Sequence, residues 1–142
     1  MAIIAIFAVV AVAVVLMTAT GGGSLLSMSG GNLSASDIAG YAENAGFDGP
    51  DLQVAVAVAL AESSGNPSAV GDLTLGVSVG LWQINLKAHP QYTQAQLTDP
   101  QANANAAFQI YQAAGNQFTP WSTNNNGAYS AYIVQAQEGV NA

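Results

Sequence analysis

Positive charge is almost missing from this chain. Lys87 is the one Lys or Arg among 142 residues, and His89 is the one histidine. Against them stand eight Asp and Glu, for a formal net charge of −7. With so little to neutralise phosphates, nucleic acid is excluded as a partner. Docking on anionic lipid through a basic patch is excluded for the same reason. Cysteine is absent, which rules out disulfides and thiolate metal sites. A lone histidine beside Pro90 in a polar loop does not make a metal site, so neither a metal nor another cofactor is expected. Charged residues of both signs make up only 6% of the chain. The folded surface must therefore be built from Ser, Thr, Asn, Gln and Gly, which suits a neutral polar polymer such as a glycan.

What is present in quantity is apolar: 51% of the residues are hydrophobic, enough for one domain with a real core. Residues 2–17, AIIAIFAVVAVAVVLM, carry no polar side chain. As a helix they reach ~24 Å, and Thr18-Ala19-Thr20 brings the segment near the lower limit for a ~30 Å hydrocarbon core. Residues 1–20 read as a membrane anchor. A cleaved signal peptide is the rival, disfavoured by the missing Lys/Arg n-region and a poor cleavage site. Without flanking Lys or Arg the positive-inside rule gives no orientation. Residues 21–35 are Gly/Ser-rich and read as a flexible tether. Residues 36–142 read as a folded, mostly helical domain.

Within that domain Ser36 is the expected N-cap of a first helix, with Ile38, Tyr41, Ala42 and Ala45 on one face and Gly46 at its end. A second helix opens at Asp48-Gly49-Pro50-Asp51, where Pro and acidic residues suit a helix start. Apolar on all sides, it should be central. Residues 65–85, rich in Gly and β-branched types, fit a small hairpin or extended lobe. Asp99-Pro100 opens a further helix carrying Ala104, Ala107, Phe108 and Tyr111. An Asn124-to-Gly127 turn then leads into a last helix with Tyr129, Tyr132 and Ile133.

Glu62 closes the apolar run from Leu52 and is followed at once by Ser63-Ser64-Gly65-Asn66-Pro67. Desolvation at the end of a buried helix disfavours the charged carboxylate, and the helix C-terminal carbonyls add to that penalty. A raised pKa is what a general acid near neutral pH requires. Two more segments align with this one: Gly80-Leu81-Trp82-Gln83-Ile84-Asn85, and Leu97-Thr98-Asp99-Pro100-Gln101-Ala102-Asn103. In this order and spacing the three resemble the catalytic domain of soluble lytic transglycosylases, the lysozyme-like family that cleaves peptidoglycan. The likeness covers about residues 36–133 and is greatest to compact versions in phage virion proteins and actinobacterial wall enzymes. These share an ending like Trp121-Ser122-Thr123-Asn124-Asn125-Asn126-Gly127-Ala128-Tyr129. The Ala-Tyr-Asn-Ala-Gly signature of larger members is absent.

The resemblance implies an α+β, mostly α, lysozyme-like domain with a small β-lobe, preceded by a single N-terminal hydrophobic helix. It implies peptidoglycan glycan strands as substrate and Glu62 as the acid that protonates the bond between N-acetylmuramic acid and N-acetylglucosamine. Ionised Glu62 would then deprotonate the muramic acid C6 hydroxyl, closing a 1,6-anhydro ring. Ser63 would orient the carboxylate or the N-acetyl group, or simply bond a free helix carbonyl. Gln83 and Asn85 would bind the sugar from the floor of the cleft, and Tyr129 would stand where larger members have an active-site tyrosine. Trp82 and Trp121 would either stack on sugar faces or belong to the core. Asn103 would tie its helix start to the loop carrying the acid. Two alternatives stay open: a hydrolase with Asp72 as second carboxylate, and a non-catalytic glycan-binding or virion protein. The expected location is the membrane with the catalytic domain on the wall side, or the virion, or outside the cell if residues 1–20 are removed.

Overall fold

The computed structural model describes residues 31–71 and 74–142. The expected anchor, most of the expected tether and Asp72 lie outside these residues.

Helix α1 (Ala35–Ala45) is entered through Ser34. The Ser34 hydroxyl accepts from the Asp37 N–H at 3.1 Å, and the Asp37 carboxylate accepts from the Ser34 N–H at 3.0 Å. This reciprocal capping box explains why the start falls two residues before the expected Ser36. Ser36 has Ala39 three residues on, which cannot return the bond, whereas Ser34 has Asp37. Ahead of that cap, Leu33 donates its N–H to Gly65 O at 2.7 Å and packs on the core.

Helix α2 (Gly49–Ser63) carries Pro50 in its first turn and buries Leu52 and the whole run Ala55–Leu60. A helix apolar on every side cannot sit at a surface. Here α1, the C-terminal elements and the aromatic cluster surround it. It ends at Ser64, which takes the left-handed conformation (φ 54°) and returns its N–H to Leu60 O at 2.8 Å.

Three two-residue strands, β1 (Val70–Gly71), β2 (Ser78–Val79) and β3 (Ile84–Asn85), form an antiparallel sheet in the order β1-β2-β3. Val79 pairs with both Val70 and Ile84. Gly80 follows with φ 81°, and a Cβ there would run into the Asn103 amide and Leu97 O. Only glycine permits that approach. Asn103 is fully buried and uses its amide in three directions: Nδ2 donates to Val79 O (2.8 Å) and Leu97 O (2.9 Å), and Oδ1 accepts from Trp82 N–H (2.9 Å). Asn103 thus ties its helix to the Val79–Trp82 segment, and not, as expected, to the loop that follows Glu62.

A one-turn helix α3 (Gln94–Leu97), capped reciprocally by Thr93 and Gln96, precedes α4 (Pro100–Ala113). Asp99 caps α4 by accepting the Ala102 N–H at 2.8 Å. On the inner face of α4, the Tyr111 hydroxyl donates to the Asp51 carboxylate at the start of α2. Burial first, then the bond to Asp51 and the charges of Asp51 and Asp48, push the Tyr111 hydroxyl up to about 12. Asn124 and Asn125, expected in a turn, instead close a short helix, α5 (Ser122–Asn125), and the expected last helix is two pieces set off from it, a 3-10 helix (Ala128–Tyr132) and α6 (Ile133–Val140). The break comes at Gly127 (φ 80°), beside Asn126, whose side chain accepts the Ala128 N–H.

Phe47 is the hub of the core. Its ring lies 5.0 Å from Phe108 edge-on, 5.1 Å from Tyr111, 5.8 Å from Phe118 and 6.4 Å from Trp82. Each such pair adds ~0.5–1.5 kcal/mol beyond area burial. The cluster fastens α4 and the Phe118–Trp121 segment onto α2 and the sheet, and so fixes what surrounds the end of α2.

Candidate active site

Glu62 stands on the last turn of α2, half-buried. Burial pushes its carboxyl above the ordinary value of 4.5, and hydrogen bonding from Thr123 opposes that without cancelling it. The Thr123 hydroxyl donates to Glu62 Oε1 at 2.7 Å, and the Thr123 backbone N–H acts on the same carboxylate in the same sense. Thr123 belongs to α5, whose position is set by the neighbouring Trp121. That indole N–H donates to Trp82 O at 2.9 Å. The site therefore combines a carboxyl made easier to protonate by desolvation with two neutral donors from one residue, Thr123, that fix how it points.

Thr123 is the residue that sequence reasoning missed. It lies within the Trp121-to-Tyr129 ending, but in a polar Ser-Thr-Asn-Asn-Asn run nothing separates a buried donor from a solvated side chain. It takes the orienting position expected of Ser63. The Ser63 hydroxyl is turned back into its own helix, donating to Ala59 O at 2.9 Å, so a direct role on substrate is not what its geometry offers.

The two tryptophans are corrected as sugar platforms. Trp82 has 0% of its surface exposed; its indole N–H donates to Ala55 O at 3.0 Å and Phe47 stacks on it. Trp121 is 4% exposed and packs on Phe118, leaving only a small part of its surface at a cavity wall. Both are core residues whose N–H groups lock the chain: Trp82 to α2, Trp121 to Trp82.

Gln83 and Asn85 are half-buried on the β-lobe. Gln83 sits at φ 47°, and its Nε2 donates to Ala69 O and Gly80 O, both at 3.0 Å. Asn85 donates to Gly76 O and Ser78 Oγ at 3.3 Å and accepts from the Lys87 and Ala88 N–H groups. Both side chains hold loops in place; Gln83 Oε1 is the polar atom they leave for other partners. Tyr129 is half-buried on the 3-10 helix, which packs along α2, the helix of Glu62.

Among the described residues no group of three His, Cys, Asp or Glu is placed to hold a metal ion. No helix of these residues is long and apolar enough to cross a membrane; residues 2–20 lie outside them. The other described carboxylates are engaged elsewhere or exposed. Asp37 and Asp99 cap helices, Asp51 holds Tyr111, Asp48 stands at the opposite end of α2, and Glu43 and Glu138 face solvent.

A mostly helical domain with a small three-stranded lobe, and one acid at the end of its central helix, is a lysozyme-like arrangement. The model of the family described as "Lysozyme like domain" matches residues 39–123, more than half of the chain, and the chain belongs to that family. The matched span runs from α1 through Glu62 and the sheet to Thr123, and it supports glycan cleavage related to peptidoglycan as the activity. No curated protein and no solved structure matches the chain.

Proposed function

We propose that this protein is a lytic transglycosylase that cleaves the β-1,4 bond between N-acetylmuramic acid and N-acetylglucosamine in peptidoglycan. The observation that carries it is the carboxyl of Glu62, the one half-buried carboxyl among the described residues, raised by desolvation and held through Oε1 by Thr123. With Oε1 engaged as acceptor, Oε2 carries the proton that goes to the glycosidic oxygen as the bond breaks. The muramic acid N-acetyl oxygen closes on C1 as an oxazolinium, so no enzymic nucleophile is needed. Glu62, now ionised, takes the proton of the same sugar's C6 hydroxyl. That oxygen displaces the N-acetyl oxygen at C1, giving the 1,6-anhydro ring and returning the acid form. One carboxylate serves both steps, where retaining and inverting glycosidases use two. Desolvation suits the first step and the Thr123 bond, which favours the ionised form, suits the second.

Residues 1–20 would anchor the enzyme in a membrane with the domain on the wall side, in a cell or a virion. The test is mass spectrometry of fragments released from purified walls. The expected products are 1,6-anhydromuramyl species, with Asp72→Asn keeping most of the activity. Reducing-end muramic acid together with loss of activity in Asp72→Asn would overturn the proposal in favour of a two-carboxylate hydrolase.

A further inference from the structure

The turn that follows Glu62 is held in a backbone shape that little else in the domain shares. Ser64 and Gly65 both take the left-handed conformation, at φ 54° and 81°. Among the described residues only Gln83 and Asn116 do so besides Ser64 without being glycine. A serine stays there only where its surroundings hold it. Most of the turn's bonds are internal: Ser63 O accepts the Asn66 N–H at 3.0 Å, and Asn66 accepts the Ser68 N–H on Oδ1 at 2.9 Å and the Ala69 N–H on its carbonyl at 3.2 Å.

One bond comes from a different part of the chain. Leu33, on the approach to α1, donates its N–H to Gly65 O at 2.7 Å. Its own carbonyl lies so close to Gly65 that a Cβ there would stand 2.5 Å from Leu33 O. Gly65 is buried under this contact, and only glycine combines that φ with that approach. The Leu33 side chain is half-buried and packs on the core, so the segment is fixed from its other side as well. The chain therefore reaches α1 across the turn of the acid, as a strap laid three residues beyond Glu62. The last turn of a helix lacks onward backbone partners and opens before its middle does. Were this one to open, Glu62 would turn into water and away from the Thr123 hydroxyl.

We propose that Leu33 is a positioning residue for Glu62: its backbone, clamped on Gly65, holds the last turn of α2 in the place where the acid is buried and meets Thr123. This rests on the reading of Glu62 as the acid and deepens it. The experiment uses the full chain with three substitutions. L33P removes the N–H donor, L33M keeps it on a side chain of similar size, and G65A sets a Cβ against Leu33 O. Release of soluble fragments from purified walls gives kcat and KM. In parallel the Glu62 carboxyl-carbon signal is followed across pH by NMR, where three glutamates have to be told apart.

L33P and G65A should each lower kcat about threefold to tenfold, the factor for one neutral hydrogen bond, with KM little changed. L33M should restore the rate. The double variant L33P/G65A should lose no more than the worse single one, because both break the same contact. The Glu62 titration should move down towards 4.5 in L33P and G65A, since burial is the larger cause of its raised value; loss of the Thr123 bonds alone would move it up. An L33P protein that is folded by circular dichroism and keeps the parent's kcat and Glu62 titration would overturn the inference and leave wall cleavage standing. Losses that multiply in the double variant would overturn it too. If L33P does not fold, G65A is read by the same two measures. If the parent releases nothing from walls, the proposed activity fails. The titration then decides the strap alone: a downward move supports it and an unmoved signal overturns it.

Discussion

Replacing Thr123 by Val keeps the β-branch and nearly the volume of the side chain but removes the hydroxyl that donates to Glu62 Oε1 at 2.7 Å. A hydrogen bond to a charged group contributes ~1.5–3 kcal/mol, and partial exposure of Thr123 argues for the lower end. That bond stabilises ionised Glu62, the form produced as the acid gives up its proton. With the charge about half developed in the transition state, ~1 kcal/mol of barrier stabilisation disappears, about a fivefold loss in kcat. The pH profile should move as well. Burial raises the Glu62 carboxyl and the Thr123 bonds lower it, so losing the hydroxyl raises it further. The protonated, active acid then persists to higher pH, and the alkaline limb of kcat/KM shifts upward. Release of soluble fragments from purified walls, measured across pH for parent, T123V and T123S, is the assay. T123S keeps a hydroxyl and should restore both plateau and limb. A T123V protein with the parent's plateau and an unmoved limb would refute the assignment of Thr123.

Glu62→Gln should lose at least ~10²-fold in wall clearing while keeping its circular dichroism spectrum, since the amide has the same shape but no transferable proton. The same variant should be no less stable than the parent at neutral pH. A raised folded-state pKa contributes stability below the ordinary value of 4.5 that is lost as pH rises through the folded value. Asn103→Ala strands Val79 O, Leu97 O and the Trp82 N–H in the interior and should cost ~2–4 kcal/mol in chemical denaturation. A change below ~0.5 kcal/mol would show the three bonds are not needed. Removing residues 1–30 should leave a folded, active domain. Removing residues 1–35 deletes Leu33 and the Ser34 cap and should lower stability by ~1 kcal/mol or more; equal melting curves for the two truncations would contradict the capping box.

Signals local to the chain were legible. Pro50, the Asp99-Pro100 pair and the unbroken apolar face of residues 52–60 announced α2 and α4, and the Gly-rich stretch announced a small lobe. Glu62 was legible because a carboxylate closing a buried run is anomalous whatever surrounds it. By residue type Ser34 and Ser36 are equal caps, and what separates them is Asp37, which stands three residues after Ser34 and returns its bond. The tryptophans could not be sorted from sequence, since an indole packs in a core as well as on a sugar ring and only the Ala55 and Trp82 carbonyls decide between them. Of the Asn124-to-Gly127 stretch only Asn126 and Gly127 turn, while Asn124 and Asn125 close α5, and nothing in the flanks marks where the following helix divides. The place of Thr123 at the acid depends on which elements meet in space, and no spacing along the chain encodes that.

The Thr123–Glu62 bond joins positions 61 apart in the chain, yet the donor sits on a helix of only four residues. Orientation of the acid therefore depends on the docking of a small piece far downstream of it. A short element opens more readily than the central helices, with a free energy well below that of global unfolding. In mild denaturant, wall cleavage should fail while α2 and the aromatic core still give a native signal. A chain ending before residue 123 would lack both the group that aims the acid and the 3-10 helix and α6 that pack on α2, so the way Glu62 is held depends on roughly the last seventh of the sequence.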